Sequence, residues 1–327
     1  MAYLVRCSRV DLISEKEDLV MWGLAIDPNA VWRLARQEFE PPTPTAEQAV
    51  IAVATSSINR GELSLLKVRS AGWRPGQDVA GVVVEPAPDG SGPIAGARVV
   101  GLAEQGAWSQ QVAVHTGRLV ELPAEVSVDQ AAALPLAGLT ALRTLRLGGE
   151  LLDRRVLITG AGGGVGNLQV QLAVAGGADV TAVSTRADTT ALLSELGAAH
   201  VVASVDEAEG LFDLIAESVG GDSLAGAVRA IAPGGTIVML GASSAEPTPL
   251  SIYDFIGGHE NARIQTYFSY STPGDIAADL RYLVDLVATG TLVPTIGRID
   301  DWANIEQALA ALSDRTTTGK VVLRITR

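Results

Sequence analysis

The chain has 327 residues, 47% of them apolar, and a single cysteine, Cys7. One thiol excludes an internal disulfide, a Cys-based zinc lobe and an iron–sulfur cluster, and the length fits one or two domains with large cores. The 37 acidic and 24 basic residues give a net charge of −13 without long charged runs, which argues against a nucleic-acid partner.

The sequence offers no candidate for a membrane span or a secretory signal. The longest weakly polar run, residues 131–145, is short and is interrupted by Pro135 and Arg143. Residues 1–19 carry early acids and contain no uninterrupted apolar core of signal-peptide length. We therefore expect a cytoplasmic protein with no membrane partner.

The first 125 residues have the pattern of a mostly β domain. Strand-like runs follow one another there, separated by Pro and Gly turns and without helices between them. The runs are VIAVATSSIN at 50–59, DVAGVVVE at 78–85, ARVVGLA at 97–103 and WSQQVAVH at 108–115.

From residue 155 onward the pattern changes to short apolar runs that alternate with helix-like stretches. This alternation is typical of βαβ units and a parallel sheet. The predicted strands lie at 155–160, 179–184, 200–203, 211–220, 236–241 and 262–268, with helices that include 167–175 and 187–198. The fold class is therefore α/β, and we place a six-stranded doubly wound Rossmann domain at residues 126–265.

The C-terminal segment predicts two helices and one strand. The helices are expected at 275–289 and 304–312, and the strand KVVLRI at 320–325. Because the doubly wound sheet is complete without this strand, we expect it to return to the N-terminal sheet. The β domain is then discontinuous and consists of residues 1–125 and 266–327.

The stretch VLITGAGGGVGNLQVQ at 156–171 is the most informative motif. A strand, a glycine-rich turn and a helix follow one another, which brings backbone N–H groups close to a pyrophosphate at the positive helix end. The dinucleotide pattern begins at Ala161, has Gly163 and Gly166 at its other glycine positions, and includes Gly164 and Val165. The alternative is a glycine turn that serves helix–strand packing alone.

The end of the second Rossmann strand favours NADPH over NADH as the cofactor. An NAD-specific site would place an acid there, but Ser184, Thr185 and Arg186 follow the strand instead, and Asp188 is the first acid. Arg186 can pair with a 2′-phosphate, and Ser184 and Thr185 can donate hydrogen bonds. The alternative is that Arg186 is a solvated residue at a helix start.

The chain resembles zinc-free members of the medium-chain dehydrogenase/reductase superfamily, in the quinone oxidoreductase (zeta-crystallin-like) branch. The pieces that carry the resemblance are SSINRGEL at 56–63, PGQDVAGVVVE at 75–85, GARVVGLAEQGAWSQQVAV at 96–114, ALPLAGLTALRTL at 133–145, the glycine motif, LGAAHVV at 196–202, PGGTIVMLG at 233–241 and GKVVL at 319–323. The resemblance implies a GroES-like β domain, a Rossmann domain and an active site between them. It also implies a homodimer formed by pairing of the sixth Rossmann strand with its own copy.

The resemblance further implies that no metal takes part. Asn59 and Gln77 stand where zinc-dependent relatives have a Cys and a His ligand, and the four-Cys lobe is missing. The three histidines, His115, His200 and His259, lack ligand-like spacing.

Without zinc, hydrogen-bond donors must stabilise the charge that develops on the substrate oxygen during hydride transfer. Asn59 is the leading catalytic candidate because it occupies the vacated ligand position, although it can also simply cap a turn. For the proton donor we name Tyr270, with Tyr267 and solvent as alternatives. By motif position, Thr140, Gly241, Ser243 and Lys320 are expected to contact the cofactor or the cleft backbone. Thr140 has the alternative of bonding its own helix.

These features predict an NADPH-dependent, zinc-independent reductase of a small molecule, either a quinone or an α,β-unsaturated carbonyl compound. A second interpretation is a free-standing enoyl-thioester reductase, with Arg60, Lys67, Arg69 and Arg74 as the source of a basic groove. A third is a non-catalytic NADPH-binding protein.

Overall fold

The computed structural model describes residues 20–269 and 274–326. Tyr270, our candidate proton donor, lies outside these residues. The described chain begins with an antiparallel hairpin of β1 (Met21–Ile26) and β2 (Leu34–Phe39). The hairpin joins a hydrophobic cluster around the buried indoles of Trp108 and Trp302.

The N-terminal segment forms the antiparallel part of a larger sheet, as its alternating runs predict. Its strands are β3 (Gln48–Ile58), β4 (Asp78–Glu85), β5 (Arg98–Leu102), β6 (Gln111–His115) and β7 (Leu119–Glu121), and helix α1 (Arg60–Val68) follows β3. Strand β3 pairs with both β4 and β6, and β5 pairs with β4 and β7. The predicted strand at 108–115 is shorter because Trp108 instead pairs with the hairpin, where its carbonyl accepts from Leu24 N–H at 2.9 Å.

The second sheet is the predicted doubly wound Rossmann sheet. Its strands are β8 (Arg155–Thr159), β9 (Asp179–Val183), β10 (His200–Val202), β11 (Phe212–Glu217), β12 (Ile231–Met239) and β13 (Arg263–Thr266). All neighbours are parallel, in the order β10-β9-β8-β11-β12-β13. The helices of this region are α2 (Val128–Ala132), α3 (Pro135–Leu147), α4 (Gly166–Ala175), α5 (Thr190–Glu195) and α6 (Gly221–Ala230). The order reverses between β8 and β11, where such sheets bind ligands.

Two Rossmann elements are shorter than the sequence predicts. The helix expected at 187–198 begins with a 3₁₀ turn at Ala187–Thr189, because the Thr189 hydroxyl donates back to Ser184 Oγ and to the Arg186 carbonyl. The sixth strand ends at Thr266, since the next residue, Tyr267, turns its ring into the core.

The C-terminal segment completes the first sheet. After α7 (Ile276–Ala288) come β14 (Ile296–Asp301), α8 (Ile305–Ser313) and β15 (Lys320–Arg324). Strand β15 pairs antiparallel with β3 and parallel with β14, which makes seven strands in all. Helix α7 shares a hydrophobic cluster with α3 and the Rossmann strands. Because α7 follows residue 266 in the chain but packs with the Rossmann elements, the domain boundary between residues 265 and 266 stays a prediction.

Within residues 20–269 and 274–326, no helix combines the length and the apolar character needed to cross a bilayer.

Candidate functional site

The glycine turn between β8 and α4 requires glycine for steric reasons. Gly160 has a φ of +61°, a left-handed conformation that glycine adopts without strain. At Gly166, a Cβ atom would lie 2.5 Å from the Gly160 carbonyl oxygen and 2.7 Å from Ala161 Cα. The helix therefore starts in direct backbone contact with the strand end, which is the close approach that a pyrophosphate site uses.

The same turn is joined to the start of β15. Gly319 N–H donates to the Gly162 carbonyl at 2.9 Å, and Gly163 forms a parallel bridge with Gly319. A Cβ atom on Gly164 would lie 2.7 Å from Lys320 Cδ, so the lysine stem passes directly over the turn. The strand from the C-terminus therefore brings Lys320 to the predicted cofactor site.

Arg186 is already paired within the chain. Its Nε donates to Asp188 Oδ1 at 3.0 Å and its Nη2 to Asp188 Oδ2 at 2.5 Å, while Nη1 donates to the Arg315 carbonyl at 3.1 Å. The hydrogen bond from Arg186 lowers the pKa of the Asp188 carboxyl, and the same contact raises the pKa of Arg186. The sequence did not lead us to predict this ion pair, although Arg186 and Asp188 are only two positions apart.

Ser184 lies against the glycine turn. Its Oγ accepts from Thr189 Oγ1 at 2.8 Å and would lie 3.4 Å from a Cβ on Gly162. This places the end of β9, with Thr185 and Arg186 next in the chain, beside the predicted pyrophosphate position. The cofactor roles of these residues stay predictions.

The remaining predicted cofactor residues have backbone contacts. Thr140 Oγ1 donates to the Leu136 carbonyl at 2.7 Å, within its own helix, as the alternative reading expects. A Cβ on Gly241 would lie 2.9 Å from the Ser218 carbonyl oxygen, so the chain is tight there. Ser243 N–H donates to the same Ser218 carbonyl at 3.1 Å, and its own carbonyl accepts from Arg315 Nη2 at 2.6 Å.

The Asn59 side chain is held by two charged groups. Lys320 Nζ donates to Asn59 Oδ1 at 2.6 Å, and Asn59 Nδ2 donates to Asp78 Oδ2 at 2.8 Å. An ammonium group cannot accept and a carboxylate cannot donate, so the chemistry of these partners identifies the oxygen and the nitrogen of the amide. Among the described residues, one hydrogen bond from this amide nitrogen is found, the one to Asp78.

Asp78 joins this arrangement to helix α3. Its Oδ2 accepts from Ser57 Oγ at 2.5 Å and from Asn59, and it lies 3.2 Å from Lys320 Nζ. Its Oδ1 accepts from Leu136 N–H at 2.8 Å, in the first turn of α3, where a carboxylate is favoured by the helix dipole. The carboxylate is fully buried, so these donors replace its water.

Glu62 is a second fully buried carboxyl beside this cluster. Its Oε2 accepts from Asn59 N–H at 2.8 Å, which secures the first turn of α1. Its Oε1 has no hydrogen-bond partner among the described residues. Burial raises the pKa of Glu62 to about 8, and the charge of Asp78 adds to this effect. Glu62 therefore carries a proton at neutral pH.

The sequence identified Asn59 and Lys320 but missed Asp78, Glu62 and Ser57 as their partners. A signal was present at Asp78, which is a charged residue at the head of an apolar strand run. The Lys320 ammonium stands directly beside Asn59, so its positive charge opposes a metal ion at this position. Among the described residues, no group of three His, Cys, Asp or Glu side chains has the arrangement of a metal site.

Tyr267, the alternative proton donor, is buried with 4% of its surface exposed. Burial raises the pKa of its hydroxyl, and the side chains of Arg143 and Thr140 oppose this rise. Its ring packs in the hydrophobic cluster of the Rossmann domain, and its role as a proton donor stays a prediction.

Comparison with known proteins identifies the family of this chain. The zinc-binding dehydrogenase family model matches residues 164–289. A chloroplast envelope quinone oxidoreductase homolog of Arabidopsis thaliana is 36% identical over 157 residues, which are 43% of this chain and 48% of the relative. The structure of the quinone oxidoreductase from Coxiella burnetii superposes with a TM-score of 0.81, covering 94% of this chain and 100% of that one. The chain belongs to the medium-chain dehydrogenase/reductase superfamily, in its quinone oxidoreductase branch.

A further superfamily relative is part of a much larger protein. The spectinabilin polyketide synthase system protein NorB of Streptomyces orinoci is 32% identical over 289 residues, which are 84% of this chain and 13% of that protein. This chain thus spans 13% and 48% of the two curated relatives named here. The Coxiella structure is 24% identical to this chain, which is a likeness of fold.

Proposed function

We propose that the chain is an NADPH-dependent, zinc-independent reductase that transfers a hydride to a quinone or an α,β-unsaturated carbonyl compound. The observation that carries this proposal is the orientation of Asn59. Lys320 and Asp78 direct the amide so that one N–H remains for a substrate oxygen. When bound, the reduced nicotinamide supplies the hydride, and the protein has to stabilise negative charge on the oxygen.

The residues of the glycine turn fit a dinucleotide. We propose that Ala161, Gly163, Gly164, Val165 and Gly166 line its pyrophosphate, because this turn is rich in glycine and leads directly into a ten-residue helix. Thr140, Gly241, Ser243 and Lys320 complete the predicted set of contacts.

The cofactor preference is assigned to the end of β9. Arg186 carries the positive charge that a 2′-phosphate requires, and the hydroxyls of Ser184 and Thr185 add donors. Asp188 competes for the same guanidinium, so the preference for NADPH is smaller than an unpaired arginine would give. The proton that completes the reduction comes from Tyr270 or from solvent.

The test is the rate of NADPH oxidation with 1,4-benzoquinone, 2-cyclohexenone and a crotonyl thioester. The proposal predicts turnover with the quinone or the enone. Tight NADPH binding without turnover of any of the three would favour a non-catalytic cofactor-binding protein and contradict the proposal.

A second candidate function is an enoyl-thioester reductase. It is favoured by the likeness to a polyketide synthase protein over 84% of the chain and by the exposed basic side chains of Arg60, Lys67 and Arg69 on and next to α1. Arg74 is less suitable for such a groove, since it stacks on Phe39 and donates to Ser109. A value of kcat/KM for the crotonyl thioester at least tenfold above that for cyclohexenone would select this function.

We also propose a cytoplasmic homodimer formed through β13. All four residues of this edge strand are exposed, and several exposed apolar side chains belong to it or to the chain segments on either side of it. They are Ile252, Tyr253, Ile256, Ile264 and Phe268. Light scattering at micromolar concentration should give the mass of two chains, and a monomer would contradict the dimer.

A further inference from the structure

Lys320 connects the two halves of the candidate site. It is 3% exposed, its stem lies over Gly164 of the glycine turn, and its ammonium reaches Asn59. The preceding residue, Gly319, is hydrogen-bonded to Gly162. One short segment of β15 therefore contacts both the turn and the amide.

We propose that Lys320 is a positioning residue that sets the orientation of the Asn59 amide, so that N–H and not C=O is presented to the substrate. This inference rests on the proposed function, in which Asn59 donates to the substrate oxygen. Lys320 itself does not have to touch the substrate.

The physical reason is that an asparagine amide has nearly the same shape when it is rotated by 180°, which exchanges its oxygen and its nitrogen. In this site the rotated amide would turn N–H groups toward the Lys320 ammonium and its oxygen toward the Asp78 carboxylate. Two hydrogen bonds would be lost, and two repulsive contacts would form among buried side chains. Only the observed orientation satisfies both partners.

The Lys320 ammonium lies closer to the Asn59 amide oxygen than to the Asp78 carboxylate. Its Nζ lies 2.6 Å from Asn59 Oδ1, compared with 3.2 Å from Asp78 Oδ2 and 3.5 Å from the Ile58 carbonyl oxygen. Asp78 has three further donors, from Ser57, Asn59 and Leu136. The amide oxygen of Asn59 has its hydrogen bond from Lys320.

The test separates orientation from simple charge pairing. Lys320→Met alone would leave Asp78 buried without its ammonium, so we pair it with Asp78→Asn, which removes both charges. Leu136 N–H retains the oxygen of the new amide at position 78, so its NH2 group faces Asn59 and no longer favours the observed orientation. With 2-cyclohexenone at saturating NADPH, we expect kcat to fall about 10- to 100-fold, with the KM for cyclohexenone changed less than about threefold.

A second variant, Lys320→Arg with Asp78 unchanged, keeps a cation that can only donate toward Asn59. We expect it to keep kcat within about fivefold of the unaltered protein. Arg281→Met, which removes an exposed cation on α7, is the matched control and should leave kcat unchanged. Thermal unfolding midpoints establish that each variant is folded. A folded but inactive Lys320→Arg would overturn the proposal.

The unaltered protein and Asn59→Ala together distinguish failure of this inference from failure of the proposed function. If the unaltered protein turns over neither the quinone nor the enone, the proposed function is wrong. If it does so and Asn59→Ala leaves kcat unchanged, the role of Asn59 is wrong and this inference falls with it. If Asn59→Ala lowers kcat but the Met pair retains full activity, only the role of Lys320 is wrong. We expect Asn59→Ala to cause no further loss in the Met pair, since both changes remove the same oriented N–H. A full additional loss would contradict this.

Discussion

Three ionisable side chains, Glu62, Asp78 and Lys320, are buried together behind Asn59. One ammonium can balance one carboxylate, and a second buried negative charge would have no counterpart. Burial and the charge of Asp78 raise the pKa of Glu62, while Lys320 and the backbone N–H groups of Asn59 and Gly76 oppose the rise. The pKa of Glu62 is raised to about 8, so below this pH the side chain is a neutral hydrogen-bonding group.

This raised pKa predicts a pH-dependent stability. Between its usual pKa of 4.5 and the folded value of about 8, Glu62 holds a proton in the folded chain and loses it on unfolding. The free energy of unfolding should therefore decrease as pH rises through this window, by up to about 1.4 kcal/mol per pH unit from this one group. Glu62→Gln removes this contribution. In urea unfolding, the free energy of unfolding of the variant should therefore rise relative to that of the unaltered protein between pH 5.5 and 7.5. If the difference in free energy of unfolding between the two proteins did not change with pH, Glu62 would not be protonated in the folded chain.

The Arg186–Asp188 pair leads to a prediction about cofactor affinity. Asp188 is 65% exposed and Arg186 30%, so the pair is weak and can yield to a phosphate. Asp188→Ala should lower the NADPH dissociation constant about 3- to 10-fold and leave that of NADH nearly unchanged, as measured by quenching of protein fluorescence.

The matched control for that prediction is Asp206→Ala. Asp206 forms a similarly exposed pair with Arg229. Asp206→Ala should leave the dissociation constants of NADPH and NADH unchanged. Weaker NADPH binding by Asp188→Ala would instead mean that Asp188 holds Arg186 in place for the phosphate.

At the scale of elements, the sequence predicted the fold more completely than the site. Apolar runs such as the one that became β8 are recognisable because a parallel strand is buried on both faces. The final strand was correctly assigned to the first sheet, because the Rossmann pattern was complete without it. Strand β14 was missed, since the run Ile296–Asp301 contains charged and glycine residues and pairs only at the sheet edge.

The partners of Asn59 were harder to predict for a different reason. Asp78 lies 19 residues from Asn59 and Lys320 lies 261 residues from it. Their meeting depends on the pairing of β3 with β4 and β15, which no local pattern encodes. The contact of Glu62 with Asn59 could have been predicted from the sequence, because an acid three residues after an N-cap is typical of a helix start.

At the scale of the molecule, β15 and Asp78 link the two sheets around the site. Strand β15 lies in the first sheet and contacts the glycine turn of the second, while Asp78 begins β4 and caps α3. The glycine turn and the oriented amide are thus held relative to each other by backbone and buried side chains. Such a rigid junction is what hydride transfer over a short distance requires.

The most direct test of zinc-independent reduction is the rate of NADPH oxidation by 2-cyclohexenone after exhaustive treatment with a metal chelator, for the unaltered chain and for Asn59→Ala. If the oriented amide stabilises the substrate oxygen, chelation leaves the rate of the unaltered chain unchanged, and Asn59→Ala lowers kcat about 10- to 100-fold while NADPH still binds. Loss of activity on chelation, or full activity in Asn59→Ala, would contradict a mechanism in which an oriented amide N–H replaces a metal ion.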